Sequence, residues 1–190
     1  MKRALLKIDA VQAGYSGPLV GPLSFDLHRG ERVGLFGPNG AGKSTLLAAI
    51  IGQARVFSGR IDRPEGLRLA YQSQRPQRHL EVPLTGWEFL HFADALHHPP
   101  PRRLAPMLHQ RIDWLSGGQF QLLSIWACLG SEADLILLDE PTNNLDPHTV
   151  DDLAELLESG TPLHGVLLIS HDRAFLERTC HRSIEVRPWD

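Results

Sequence analysis

The alternation of apolar and polar stretches along the chain predicts a parallel α/β sheet. Short, fully apolar runs recur and are typical of strands that are covered on both faces. Segments with helical spacing, often ended by glycine, stand between them. Because strands and helices alternate from Arg32 onward, we predict an α/β core. The predicted strands of this core are 32–36, 67–71, 135–138, 166–169 and 183–186, and the predicted helices are 44–51, 115–129, 146–159 and 173–180.

The first thirty residues have a different pattern, with two short strands over 4–11 and 23–27. A turn rich in glycine and proline separates them, which favours an antiparallel hairpin. A further short strand is predicted over 59–62. We therefore expect an antiparallel β subdomain beside the parallel sheet.

Residues 80–113 change character again, because prolines interrupt a single helical pattern over Trp87–Leu96. This stretch predicts a compact, mainly helical insertion. Its histidines lack the spacing of a metal site, so we interpret them as solvent-exposed or capping residues. They are His91, His97, His98 and His109. We predict one domain over 1–190, with an α/β core at 1–74 and 131–190 and a helical subdomain at about 75–130.

Composition narrows the functional classes. The chain has 190 residues and a formal net charge of -3, so no general affinity for polyanions is indicated and no nucleic-acid partner is expected. No run of 18 apolar residues is present in the sequence. Two cysteines, Cys128 and Cys180, form neither a disulfide framework nor a metal-ligand pattern. We expect a cytosolic chain, for which a membrane role would require another subunit.

One motif carries most of the chemistry: the stretch Gly37–Thr45 matches the phosphate-binding loop G-x-x-x-x-G-K-[ST]. Its glycines allow backbone N–H groups to surround a phosphate, and the following helix adds partial positive charge. Lys43 supplies a charge for the β- and γ-phosphates, and Ser44 offers a hydroxyl to Mg²⁺. The predicted nucleotide-binding residues are Gly37, Pro38, Asn39, Gly40, Ala41, Gly42, Lys43, Ser44 and Thr45.

Further polar residues follow the other predicted strands, and in parallel sheets such strand ends form the ligand-binding edge. Asp139 is placed to hold Mg²⁺, and Glu140 to act as general base on the attacking water. His171 could contact the γ-phosphate or hold the water and Glu140 in place. Gln74 carries an amide that can reach both metal and water. Tyr15, in the first turn, could either stack on adenine or cover the sheet edge.

In their order and spacing these motifs resemble the ATP-binding cassette (ABC) ATPases over nearly the whole chain. The family's signature stands at Leu115–Gln119, its D-loop resembles Pro141–Asp146, and His171 occupies the switch-histidine position. The resemblance implies ATP and Mg²⁺ as ligands, and adenine stacking by Tyr15. It also implies a head-to-tail dimer in which the signature of one copy contacts ATP held by the other. The signature residues implied in this contact are Ser116, Gly117, Gly118 and Gln119.

The resemblance leaves the cellular role open between two classes. Residues 143–146 and 170–176 are similar to soluble translation- or repair-related cassettes, which usually carry two cassettes and a charged linker. Residues 67–74 and 82–90 resemble the ATPase subunits of zinc and manganese importers, and small haem-export ATPases have a similar length. For a transporter subunit we expect a peripheral position on the inner face of the membrane. A permease would then dock near Gln74 to Leu90, where Trp87 and Phe89 either anchor it or fill the lobe's own core.

Overall fold

The computed structural model describes residues 4–74, 83–159 and 164–189, which form two β-sheets and the helices packed on them. The strands are β1 Ala4–Gly14, β2 Pro18–His28, β3 Arg32–Phe36, β4 Arg55–Asp62, β5 Leu69–Gln72, β6 Leu135–Asp139, β7 Gly165–Ile169 and β8 Arg182–Glu185. The helices are α1 Lys43–Ile50, α2 Gly86–Phe92, α3 Ala105–Leu108, α4 Gly117–Leu129, α5 Pro147–Ser159 and α6 Arg173–Thr179, with a 3₁₀ turn at Arg102–Leu104. Within these described ranges, no helix has both the length and the apolar character needed to cross a bilayer.

The larger sheet has five parallel strands in the order β5-β6-β7-β3-β8. Alternate residues of its central strands face two different apolar clusters. In β6, Leu135 and Leu137 join the cluster that contains α1 and the smaller sheet, whereas Ile136 and Leu138 join the cluster that contains α4 and α5. Both faces of the sheet are thus covered, which explains the uninterrupted apolar runs in the sequence.

The smaller sheet is antiparallel, in the order β2-β1-β4. The hairpin was predicted correctly, but its strands are longer than expected, because β1 continues to Gly14 and β2 already begins at Pro18. The predicted long turn is therefore wrong. The pairing of β1 with β2 is irregular between Ile8 and Gly14, where Ala10 has a left-handed conformation with φ 47°. Because of these irregularities, residues that the pattern assigned to the turn belong to the strands.

The first described helix of the helical lobe, α2, begins at a capping box. Thr85 Oγ1 accepts a hydrogen bond from Glu88 N at 3.2 Å, and Glu88 Oε2 accepts one from Thr85 N at 2.8 Å. Helix α2 ends at Phe92 and not at the predicted Leu96, because Asp94 takes a left-handed conformation with φ 53°. The first part of the predicted lobe, 75–82, lies outside the described residues, and the predicted division into core and lobe stays a prediction.

Candidate functional site

The predicted phosphate loop connects β3 to α1, and its glycines are required by the backbone. Gly37, Gly40 and Gly42 have φ of 150°, 81° and 83°. A Cβ on Gly37 would lie 2.1 Å from the Val186 carbonyl oxygen. Gly42 is the N-cap of α1 and has no side chain to satisfy the first N–H groups of the helix, which therefore suit an anion.

Lys43 lies folded back over this loop. Its side chain is buried, and Nζ donates hydrogen bonds to the carbonyl oxygens of Gly37 at 2.8 Å and Pro38 at 3.0 Å. A buried ammonium requires hydrogen-bond acceptors, and these two carbonyl oxygens provide them. The loop thus keeps a positive charge beside the amides that would receive a phosphate.

Ser44 and Asp139 come from different elements and meet at this loop. Ser44 Oγ donates to Asp139 Oδ1 at 3.0 Å, and Asp139 is only 5% exposed. Burial raises the pKa of Asp139 above its ordinary value, and the charge of Glu140 adds to this, although the Ser44 hydrogen bond opposes it. A hydroxyl and a buried carboxylate are hard oxygen donors that Mg²⁺ prefers, so these residues fit that ion.

Tyr71 lies on the strand next to that of Asp139, and the sequence patterns had not singled it out. Burial raises the pKa of the Tyr71 hydroxyl, and the charge of Asp139 adds to this. Tyr71 pairs with Leu137 across β5 and β6, two residues before Asp139.

Glu140 and His171 form the second polar pair of the site. Glu140 Oε2 lies 2.9 Å from His171 Nδ1 and accepts a longer bond of 3.4 Å from His171 N. Glu140 is buried but has φ 48°, a left-handed conformation that costs a non-glycine residue about 1–3 kcal/mol. The surrounding contacts must offset this cost, as is typical of functional positions.

A cleft of about 290 Å³ opens between these groups. Its lining residues are Leu19, Asn39, Gly40, Gly42, Lys43, Ser44, Thr45, Gln74 and Glu140. The structure therefore brings Gln74 and Glu140 to the phosphate loop, as the sequence predicted. Ala41 is buried in the loop, while Asp139 and His171 adjoin the cleft through Ser44 and Glu140. Leu19 was missed, because an apolar residue in a strand carries no chemical signal.

The remaining predicted ligand residues do not line this cleft. Tyr15 is 60% exposed in the turn between β1 and β2. The signature stands at the start of α4, where Ser116 Oγ accepts from Gln119 N at 3.2 Å and Gln119 Oε1 accepts from Ser116 N at 2.9 Å. Ser116 and Gly117 are exposed. The signature thus forms a second capping box on the surface of the lobe.

Comparison with known proteins identifies the family. The model of the family described as ABC transporter matches residues 20–143. The zinc import ATP-binding protein ZnuC of Paracoccus denitrificans is 35% identical over 183 residues, which cover 92% of this chain and 72% of that protein. An uncharacterized ABC transporter ATP-binding protein of Schizosaccharomyces pombe is 36% identical over 172 residues, covering 86% of this chain.

Other relatives are much longer than this chain. The energy-dependent translational throttle protein EttA of Mycobacterium tuberculosis is 35% identical over 191 residues, covering 93% of this chain. The chain spans 33% of EttA and 23% of the S. pombe protein. The similarity to these two proteins therefore covers only a part of each, about as long as one cassette.

A solved structure described as the ATP binding subunit of an ABC transporter has the same fold. It aligns with a TM-score of 0.78 and 28% identity, covering 96% of this chain and 86% of that one. The predicted fold class is confirmed: a P-loop NTPase parallel sheet with an antiparallel β subdomain and a short inserted helical subdomain. By its sequence, its fold and the motifs that meet at its cleft, the chain belongs to the ABC transporter family.

Proposed function

We propose that the chain binds ATP in the phosphate-loop cleft and hydrolyses it. Two polar pairs lie at one cleft beside Lys43: Ser44 with Asp139, and Glu140 with His171. This arrangement is the observation that supports the proposal. The first pair suits a metal ion and the second suits a water molecule. Binding alone would not require the second pair.

Separate roles in ATP binding and hydrolysis fall to Lys43, Glu140 and His171. On arrival of the nucleotide, Lys43 exchanges the carbonyl oxygens of Gly37 and Pro38 for phosphate oxygens, and the N–H groups of the loop surround them. Glu140 accepts a proton from the attacking water as the water oxygen bonds to the γ-phosphorus. The bond from the γ-phosphorus to the bridging oxygen breaks, and ADP leaves with that oxygen. His171 donates to Glu140 Oε2 and so fixes the orientation of the carboxylate.

Mg²⁺ fits the oxygen donors of Ser44 and Asp139, with the Gln74 amide at the same cleft. When bound, this ion neutralises charge on the β- and γ-phosphates. The protein's part is to keep the Asp139 carboxylate buried and directed at the phosphate loop.

We further propose that two copies form a head-to-tail dimer with ATP between them. Ser116 and Gly117 are exposed, at a helix start whose N–H groups suit a γ-phosphate. They do not line the cleft of their own chain. A second copy is the partner that makes use of them.

As cellular role we propose a peripheral subunit on the cytoplasmic face of a membrane, driving a permease for metal-ion uptake, with zinc or manganese as substrate. The similarity to ZnuC over most of both chains favours this role. The proposed docking surface is Gln74 to Leu90, of which 75–82 lie outside the described residues. Trp87 is 47% exposed and available to a partner, whereas Phe89 packs on Phe120 with ring centroids 5.6 Å apart.

A soluble cassette protein that acts on translation is the second candidate, favoured by the similarity to EttA. Affinity purification of the tagged chain from detergent-solubilised cells of its source organism separates the two. Recovery of a polytopic permease, cross-linked through Trp87→Cys, supports the transporter role. Recovery of ribosomes without a permease supports the second candidate.

The ATPase itself is tested with the purified chain, ATP and Mg²⁺. We expect release of phosphate that Lys43→Ala abolishes and Lys7→Ala leaves unchanged, because Lys7 is exposed on β1. Equal rates in both variants would overturn the assignment of the cleft.

A further inference from the structure

A buried hydroxyl pair lies behind Glu140 and His171. Thr142 Oγ1 and Ser170 Oγ are 3.1 Å apart, and the two residues are 8% and 0% exposed. Thr142 belongs to the turn that follows Glu140, and Ser170 directly precedes His171. The pair therefore joins the two loops that carry the proposed base and its histidine.

Each residue of the pair has a further hydrogen bond within its own loop. Ser170 Oγ accepts from Asp172 N at 3.1 Å, and Ser170 N donates to the Leu35 carbonyl oxygen of β3 at 3.2 Å. On the other side, the carbonyl oxygen of Thr142 accepts from Leu145 N at 3.3 Å. Both residues are thus bonded within their own loops, and their contact links one loop to the other.

The contact between Thr142 and Ser170 lies just beyond the end of the pairing between β6 and β7. Strands β6 and β7 are paired up to Asp139 and Ile169, and Glu140 N adds a last bond to the Ile169 carbonyl oxygen at 3.0 Å. Beyond this point the backbones separate, and Glu140 turns into its left-handed conformation. Two side-chain links then span the gap: Glu140 to His171, and Thr142 to Ser170.

We propose that Thr142 and Ser170 are positioning residues for ATP hydrolysis, which hold the strained Glu140 carboxylate against His171. This inference rests on the ATPase activity proposed above. Neither hydroxyl touches the nucleotide cleft, so their effect passes through Glu140. It should therefore fall on kcat and leave the affinity for ATP unchanged.

The test compares Thr142→Val with Thr142→Ser in the purified chain. Valine keeps the shape of threonine but removes the hydroxyl, whereas serine keeps the hydroxyl. We expect Thr142→Val to lower kcat about 10- to 100-fold with KM for ATP within about twofold, since a small misplacement of a reacting group has effects of this size. Thr142→Ser should restore most of the rate, and Ser170→Ala should reproduce the loss.

Thr179→Val is the matched control. Thr179 is also a buried threonine with a bonded hydroxyl, donating to the Phe175 carbonyl oxygen at 2.7 Å, but it lies at the far end of α6. We expect its kcat to equal that of the unchanged chain. An equal loss in Thr179→Val, or no rescue by Thr142→Ser, would mean that the hydroxyl pair acts only through general stability and would overturn the proposal.

Two further measurements separate positioning from a merely structural role. In a Glu140→Gln background, Thr142→Val should reduce kcat no further, because its effect passes through that carboxylate; independent losses that multiply would refute it. Without nucleotide, hydrogen exchange of the 139–146 amides should accelerate in Thr142→Val but not in Thr179→Val. If the unchanged chain hydrolyses ATP and Thr142→Val keeps its kcat, this inference alone fails; if the unchanged chain has no ATPase activity, the proposed function fails with it.

Discussion

The signature serine should stabilise the nucleotide-free chain as well as contact ATP, and Ser116→Ala tests this first role. Ser116 is the N-cap of α4, and its Oγ accepts from Gln119 N at 3.2 Å. Alanine removes this acceptor. The reciprocal bond runs from the N–H of residue 116 to Gln119 Oε1. It requires only the backbone of residue 116, so it can persist in the alanine variant.

The expected loss of stability in Ser116→Ala follows from the exposure of Ser116 and from its capping hydrogen bond. Because Ser116 is exposed, its truncation leaves no cavity, and the loss is that of an N-cap hydrogen bond, about 1 kcal/mol in the free energy of unfolding. For a chain of this length, that corresponds to about 2–4 °C in Tm. Helix α4 should remain formed, since most of its side chains are buried.

Urea and thermal unfolding of the nucleotide-free chain measure this effect. Ser116→Asn is the informative comparison, because asparagine caps helices about as well as serine. We expect Ser116→Asn to keep the stability of the unchanged chain while changing the surface offered to the second copy's ATP. An unaltered Tm in Ser116→Ala, or equal losses in both variants, would refute a capping role.

Three other tests address separate parts of the site. Asp139→Asn should raise the Tm of the nucleotide-free chain, because the raised pKa of Asp139 means that its charge is unfavourable in the fold at neutral pH. A lowered Tm of the nucleotide-free chain would contradict this reasoning. The same substitution should remove the additional thermal stabilisation that ATP with Mg²⁺ provides. Gly117→Ala should not lower the Tm, since a Cβ there meets open space, whereas Gly118→Ala should give a lower Tm than Gly117→Ala because its Cβ would lie 3.0 Å from Thr149 Cγ2; equal unfolding curves would contradict the distinction. Tyr15→Ala should weaken ATP affinity in calorimetry about tenfold, through loss of stacking. Phe92→Ala should not, because Phe92 is even more exposed but lies in the helical lobe; equal affinities in the two would refute stacking.

Much of the fold could be predicted because the pattern and the structure express the same constraint. Strand β3 and the apolar runs of β6 and β7 lie where the sequence placed them, since a strand covered on both faces must be apolar throughout. The hairpin turn was misplaced because glycine and proline, which usually mark turns, here lie within irregular strands. Helix α2 ends early through the local conformation of Asp94, which spacing does not reveal.

The candidate site was predictable where a motif fixes the residue types. The phosphate loop, Asp139 and Glu140 fall in this group. Side chains that act by packing or through other residues carry no such pattern. Leu19, Tyr71 and the pair of Thr142 with Ser170 became visible only through their contacts in the fold.

We propose that ATP joins two copies of the chain and that Glu140 releases them by hydrolysis. Light scattering of Glu140→Gln with ATP and Mg²⁺ measures the association. Glutamine cannot accept the proton of the attacking water, so turnover should become very slow and the ATP-bound dimer should accumulate. We predict a mass of twice the 21.2 kDa of the chain. A variant that binds ATP and keeps the mass of a single chain would contradict the account.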